Sequence, residues 1–232
     1  MPRMKSAAVE AQEGIVEYIR SHGLLEGDVL PSEQFLCEEL GLSRTSIREA
    51  MRTLTSLDIV EVRHGHGTYV SKMSLRPLVR AMTLRIMLQN NDSLSILHRV
   101  LQMRRSIGFT SAEELSRIWK GADISELEDI VEEMRVAARE DKPFELADRK
   151  FHQAVLRDVS NPFSRELSDA FWEIQIEVLP QLNIAFPRDI EATIETHARI
   201  AEALGDGDLD RLRLLIDEHY DPLFAILEED NA

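Results

Sequence analysis

Residues 27 to 70, GDVLPSEQFLCEELGLSRTSIREAMRTLTSLDIVEVRHGHGTYV, decide the fold. Ser32 and Ser43 each stand immediately before a helical apolar pattern, where a serine oxygen can accept from the first unpaired backbone N–H groups. Two short helices separated by a tight turn are expected. The second, Arg44 to Leu57, sets Ile47, Ala50, Met51, Leu54 and Leu57 along one face, at the spacing of a core-facing stripe. After Leu57 the period changes. Ile59, Val60 and Val62, then Tyr69 and Val70, read as two short strands joined by Arg63-His64-Gly65-His66-Gly67-Thr68, a hairpin whose glycines permit positive φ.

On the second helix Arg44, Arg48 and Arg52 recur every fourth residue, so their guanidinium groups project together. Arginines at that spacing usually form a solvated face, and a glycine-rich hairpin is usually only a turn. Here the order helix, turn, basic helix, hairpin describes a winged helix-turn-helix. In such a unit the N-terminal part of the second helix reaches base edges, and arginine is the commonest specific reader of guanine. Arg44, beside Thr45, would lead; Arg48 would read or clamp, Arg52 would meet phosphate, and His64 would extend from the wing.

The segment Leu30-Pro-Ser-Glu33, then Ser43-Arg-Thr-Ser-Ile-Arg48-Glu-Ala50, then Gly65-His-Gly-Thr-Tyr-Val70 resembles the N-terminal domain of the GntR family of bacterial transcription regulators, over about Val9 to Ser71. The resemblance places Ser43, Arg44, Thr45, Arg48, His64 and Gly65 at family DNA-contact positions. Two positions depart from it. Glu26 stands where the family often has proline. Gln34 stands where many members carry arginine, and is expected at the DNA as a hydrogen-bonding group that neutralises no phosphate.

The 232 residues suffice for two ordinary domains. The formal charge of −15 is unusual for a DNA binder. Its distribution resolves part of the conflict. Residues 1–76 hold 9 Lys and Arg against 11 Asp and Glu, whereas residues 77–232 hold 18 against 31. From Leu40 to Arg76 the balance is 6 basic to 3 acidic. DNA binding should therefore be modest without a specific site, and steeply salt-dependent. The single cysteine, Cys37, reads as a small buried hydrophobe. No signal peptide or long apolar span is evident, and a cytoplasmic protein away from membranes is expected.

The expected domains are a winged helix-turn-helix at 6–73, a linker or connecting helix at 74–92, and an all-helical domain at 93–230. Helical periodicity beyond Ser71 to Pro77 predicts segments near 75–90, 94–118, 124–140, 143–159, 161–180, 188–205 and 208–229. Gly121, Asp141-Lys-Pro143, Ser160-Asn-Pro162, Pro187 and Gly205-Asp-Gly207 mark the loops. The fold class is mainly α: a winged helix-turn-helix followed by an antiparallel bundle of six or seven helices.

Three of these helices carry polar residues where apolar ones belong. Asp148 and His152 share a stripe with Phe151, Val155, Leu156 and Val159. His197 lies on the stripe Ile190, Ile194, Ala201, Leu204, and His219 on the stripe Leu212, Leu215, Ile216, Leu223, Ile226. Burying four such groups alone would cost several kcal/mol. Either they satisfy one another in a hydrogen-bonded core network, or they share a divalent ion such as zinc, nickel or manganese. Spacing alone leaves the two readings level.

Asp148-Arg-Lys-Phe151-His152 followed by Ser160-Asn161-Pro162 resembles the signature of the FCD effector domain of the FadR branch of that family, over a few positions only. The resemblance implies a metal centre on Asp148, His152, His197 and His219, with small organic acids as effectors. This half departs from the pattern too: where the family usually has Arg-x-x-Leu-Glu, the chain has Arg104-Arg-Ser-Ile107-Gly108. Arg104 lies on the apolar stripe Leu97, Val100, Leu101, Ile107. It either snorkels to the surface or points into the metal-bearing cavity to grip a carboxylate with its planar fork. The expected function is a homodimeric regulator, a repressor, that binds a palindromic double-stranded DNA operator and releases it on sensing a small carboxylate. A metal-free acyl-thioester sensor and a metal-dependent hydrolase are the alternatives. Against the hydrolase, no spare inward acid is evident near the ligands to act as general base.

Overall fold

The computed structural model describes residues 6–89, 92–184 and 190–229. The chain divides into two compact units, 1–77 and 78–232.

The first unit holds three helices and a two-stranded sheet. Helix α1 (Ala7–Ser21) has Ser6 as its N-cap. Helices α2 (Glu33–Leu40) and α3 (Arg44–Ser56) start at Ser32 and Ser43, whose hydroxyls accept from Phe35 N at 3.2 Å and Ser46 N at 3.1 Å. Gly41 ends α2 in the left-handed region, φ 66°, where only glycine avoids a Cβ penalty. Strands β1 (Val60–Arg63) and β2 (Gly67–Val70) pair antiparallel, with Val60 opposite Val70 and Arg63 opposite Gly67. Ala11, Ile15, Ile19, Leu30, Leu36, Ile47, Ala50, Met51, Leu54, Val60 and Val70 form one core. Each large aliphatic side chain among them contributes on the order of 2 kcal/mol of burial.

Two sequence expectations change here. Leu57 is 48% exposed and outside the core stripe, because α3 ends at Ser56 and the next residue, Asp58, turns into the left-handed region at φ 55°. Cys37 is half-buried at the core's edge rather than fully enclosed. Helix α1 packs against α3, and its Ala11, Ile15, Ile19 spacing was the signal for it.

The second unit is helical throughout its described residues: α4 (Arg76–Leu88), α5 (Ser93–Trp119), α6 (Ser125–Arg139), α7 (Glu145–Val155), α8 (Pro162–Gln181), α9 (Ile190–Asp206) and α10 (Leu209–Glu229). Helix α4 spans the division between the units. The long α5 is the spine, packed on α8, α9 and α10; α6 and α8 flank α7, and α6 also meets α9. Gly108, where the family pattern has glutamate, faces Ile216 of α10, which a Cβ there would meet at 3.4 Å. Helix α7 stops at Val155, short of the expected Val159, because the Asn161-capped, proline-led start of α8 follows. Leu156 and Val159 stay buried from the intervening turn. Ile190, expected on the inward stripe of α9, is 36% exposed at its first turn. Gly121, Asp141 and Gly207 turn the chain with positive φ, whereas Gly205 is inside α9. Pro187 lies outside the described residues. Among the described helices none is long and apolar enough to cross a membrane.

Candidate functional site

Helices α7, α9 and α10 bring Asp148, His152, His197 and His219 together: one ligating atom from each lies within 4.8 Å of every other. The His197 and His219 ring centres are 4.6 Å apart, and His152 and His219 5.0 Å. Ligands of a divalent ion at about 2.1 Å stand roughly 3.4 Å apart in a tetrahedron, so the cluster is near ligating size.

The protonation states suit a cation. His197 Nδ1 is 2.8 Å from the Thr193 carbonyl oxygen. A carbonyl only accepts, so Nδ1 carries the proton, and in the neutral ring Nε2 carries the lone pair. That Nε2 stands 3.0 Å from Asp148 Oδ1, without the geometry of a hydrogen bond. Two electron-rich atoms at that range repel unless positive charge lies beside them. His152 Nε2 and His219 Nδ1 are likewise buried without hydrogen-bond partners among the described residues. Burial, with the Arg104 charge behind it, pushes His152 down to about 4. Burial and the neighbouring imidazoles hold His219 well below its ordinary value. Burial opposes the charge on Asp148, but His152, 3.5 Å away, outweighs it and keeps the carboxyl well below the usual range. One carboxylate and neutral imidazoles are the ligating forms, and the donor set fits zinc, nickel or manganese. Further groups orient it: Trp172 Nε1 donates to Asp148 Oδ2 at 2.5 Å, leaving Oδ1 to face the histidines, and Thr193 fixes His197.

Arg104 does not snorkel. It is 2% exposed, donates from Nη1 to Gln175 Oε1 at 3.1 Å, and places Nη2 4.0 Å from Asp148 Oδ2. Its Nε and Nη2 have no hydrogen-bond partner among the described residues. These two N–H groups form the side-on fork that takes a carboxylate in two bonds, the mode in which Arg149 holds Asp169 at 2.7 and 2.8 Å elsewhere in this domain. Arg104 lines a small cavity, about 40 Å³, with Glu145, Asp148, Gln175, Thr193 and His219, closed on its apolar side by Phe144, Ile176 and Leu223. A wider groove over α6, α7 and α8 is a surface feature whose charges already pair with each other, as Lys150 with Glu133 and Arg157 with Glu126.

The sequence reading missed four of these groups. Gln175 was legible, as a polar residue on the inward stripe of α8. Trp172 and Thr193 act through single hydrogen bonds that periodicity does not encode. Glu145, at the first residue of α7, supplies the inward acid that the sequence reading found absent near the ligands.

In the first unit the α3 residues Ser43, Arg44, Thr45 and Arg48 are exposed, as are Gln34, His64 and Gly65. The Ser43 hydroxyl is engaged as the α3 cap. Arg48 Nε donates to Glu33 Oε2 of α2 at 3.2 Å, and Gln34 Nε2 donates to Glu38 at 3.2 Å. In the wing Gly65 and Gly67 have positive φ, and the Arg63 guanidinium lies 4.2 Å over the Tyr69 ring. Asp58, at the foot of the wing, accepts from the Ser71 hydroxyl and from the amide and hydroxyl of Ser74.

Comparison with known proteins follows the same division. The model of bacterial regulatory proteins of the gntR family matches residues 7–70, and the model of the FCD domain matches residues 99–222. The chain is 26% identical over 190 residues to the galactonate operon transcriptional repressor of Escherichia coli K12, covering 81% of this chain and 83% of that protein. It is 24% identical over 194 residues to the HTH-type transcriptional regulator LutR of Bacillus subtilis, covering 82% and 87%. A solved GntR structure from Streptococcus agalactiae has the same fold, with a TM-score of 0.67 and 22% identity over 93% of this chain and 98% of that one.

Proposed function

From the premise that this chain belongs to the gntR family of bacterial regulatory proteins, and is a DNA-binding transcription regulator with an FCD domain rather than an enzyme, we propose that it is a homodimeric, cytoplasmic repressor whose helical domain senses a small carboxylate at a metal centre. Asp148, His152, His197 and His219 hold the divalent ion. Arg104 receives the effector's carboxylate on its Nε and Nη2. Arg44, Thr45 and Arg48 read the operator from α3, Ser43 and Gln34 stand at its backbone, and His64 and Gly65 bring the wing to it. A dimer presents two recognition helices, because a single one offers too few base contacts for useful specificity.

The observation that carries the sensor reading is the buried Arg104 with a free side-on fork beside a cluster of unpartnered imidazoles. Charge supports it: a domain this acidic repels anions unless positive charge is concentrated locally, as an arginine and a divalent ion would do. The relative named for the galactonate operon is consistent with a carboxylate signal. The ion, when bound, supplies open positions for an anionic ligand. This chain's own residues orient that ligand, exclude water from it and neutralise its charge. A cavity of about 40 Å³ is far too small for an acyl-thioester. Control requires that the acid bind more tightly to one packing of the domain than to the other.

The test is selection of bound DNA from a random pool, then a screen of small acids for release of the selected operator from wild-type protein and from Arg104→Met. Release of wild type at millimolar acid or below, with the variant unresponsive, is expected. Equal release of both removes Arg104 from the sensor.

A further inference from the structure

Arg104 and the metal ligands leave one polar group of the cavity unexplained. Glu145 Oε2 is buried and has no hydrogen-bond partner among the described residues, yet Glu145 lines the same cavity as Arg104, Asp148 and His219. It opens α7, three residues before Asp148, so the two carboxylates leave the helix on one side. A carboxylate oxygen removed from water is costly until something donates to it. A ligand's own carboxylate has no proton to give, and would be repelled. An ammonium group would suit Glu145 but would meet the Arg104 charge and the bound cation across a very small space. A neutral hydroxyl donates without either conflict.

We infer that Glu145 is the specificity-determining residue of the effector cavity, accepting a hydrogen bond from a ligand hydroxyl, so that the site takes hydroxylated monocarboxylates and rejects dicarboxylates of the same length. This rests on the carboxylate-sensor reading above. One end of the ligand is fixed by the guanidinium fork of Arg104, the only arginine among the described residues that line the cavity. A second carboxylate would find no fork, and would face Glu145 and Asp148 instead. The hydroxylated part of the ligand is directed to Glu145, and its C–H faces to Phe144, Ile176 and Leu223.

Calorimetric titration of the zinc-loaded full chain with butyrate, 2,3,4-trihydroxybutyrate, succinate and 4-aminobutyrate tests this. In wild type the hydroxylated acid should bind about tenfold or more tightly than the other three of its length, because a site built to pair a hydroxyl discriminates strongly against its absence. Glu145→Gln, which removes the charge and keeps the shape, should narrow the preference over the dicarboxylate by about tenfold. Glu145→Ala should abolish it. Because Glu145 is at a helix start and only partly buried, both variants should melt within a few degrees of wild type. An unchanged preference in the folded variants, or a wild-type preference for the dicarboxylate or the amine, overturns the assignment of Glu145 and leaves the sensor standing. No binding of any of these acids to wild type overturns the sensor reading and this inference together.

Discussion

His197 holds Nε2 3.0 Å from Asp148 Oδ1 while its Nδ1 donates to the Thr193 carbonyl 2.8 Å away. The backbone carbonyl thereby places the proton on Nδ1 and turns Nε2 toward the carboxylate, and in the neutral ring Nε2 carries a lone pair. A divalent ion would accept both lone pairs at once, and the buried His152 Nε2 and His219 Nδ1 would be its other protein ligands.

His197→Ala should therefore lower divalent-ion affinity about 100-fold or more, exceeding the range found when only an outer supporting group is lost. Elemental analysis of untagged protein and competition with a chromophoric chelator measure it. Wild type reconstituted with zinc, nickel or manganese should hold one ion per chain; no stoichiometric metal would sink the ligand assignment.

Stripping the ion should lower the melting temperature of the helical domain by about 5–10 °C, the shift for an ion held at roughly 100 times its Kd in a domain of this size. The chelated protein should then become acid-sensitive. With His152 at about 4 folded and near 6.5 unfolded, the unfolded chain binds the extra proton between those values. Stability is thus full above 6.5 and falls as pH drops toward 4, by at most about 3 kcal/mol from this group. Denaturant titrations of the chelated protein at pH 7.5 and 4.5 check it; equal midpoints would show that the imidazole is not held neutral.

Arg48→Ala should cost about 1–3 kcal/mol of operator affinity and leave the melting temperature unchanged, since the side chain is exposed and its pairing with Glu33 is a surface one. Gel-shift titration at two salt concentrations distinguishes roles. A base reader loses affinity mainly for the selected site, whereas a phosphate contact loses it on all DNA and shallows the salt dependence. Unchanged affinity would take Arg48 out of the interface.

Asp58→Ala should destabilise the DNA-binding domain by about 1–3 kcal/mol, because it strips the acceptor from Ser71 and Ser74 and places alanine at a left-handed φ. Asp58→Asn, which tolerates that φ, should cost less. Burial works against the charge on Asp58, but the Ser74 and Ser71 bonds outweigh it and lower its folded pKa. Its contribution is present above the unfolded value of about 3.9 and is lost as pH falls below it. Thermal melts of the three proteins at pH 7 and pH 3 measure both effects; identical melts at pH 7 would remove the anchoring role.

The DNA-binding half was almost fully legible in the sequence, because its signals are local. Caps at Ser32 and Ser43, glycine at φ-positive turns and a four-residue arginine period each act within a turn or two of helix. Leu57 was misplaced because α3 stops one residue before it, and a helix end is set by what the chain meets next. In the helical half the three inward histidines and Asp148 were legible as polar interruptions of apolar stripes. Their mutual distances were not, since a stripe names the face of one helix and not the face it meets.

Sequence alone determined the element types, the exposed basic face of α3 and the short roster of buried polar residues, because periodicity and capping are properties of adjacent residues. Tertiary packing decided that α7, α9 and α10 converge on one point, that Arg104 turns inward with a free fork, and that Glu145 shares its cavity. Those facts depend on side chains far apart in the chain, and only the folded core fixes the angle at which their helices cross.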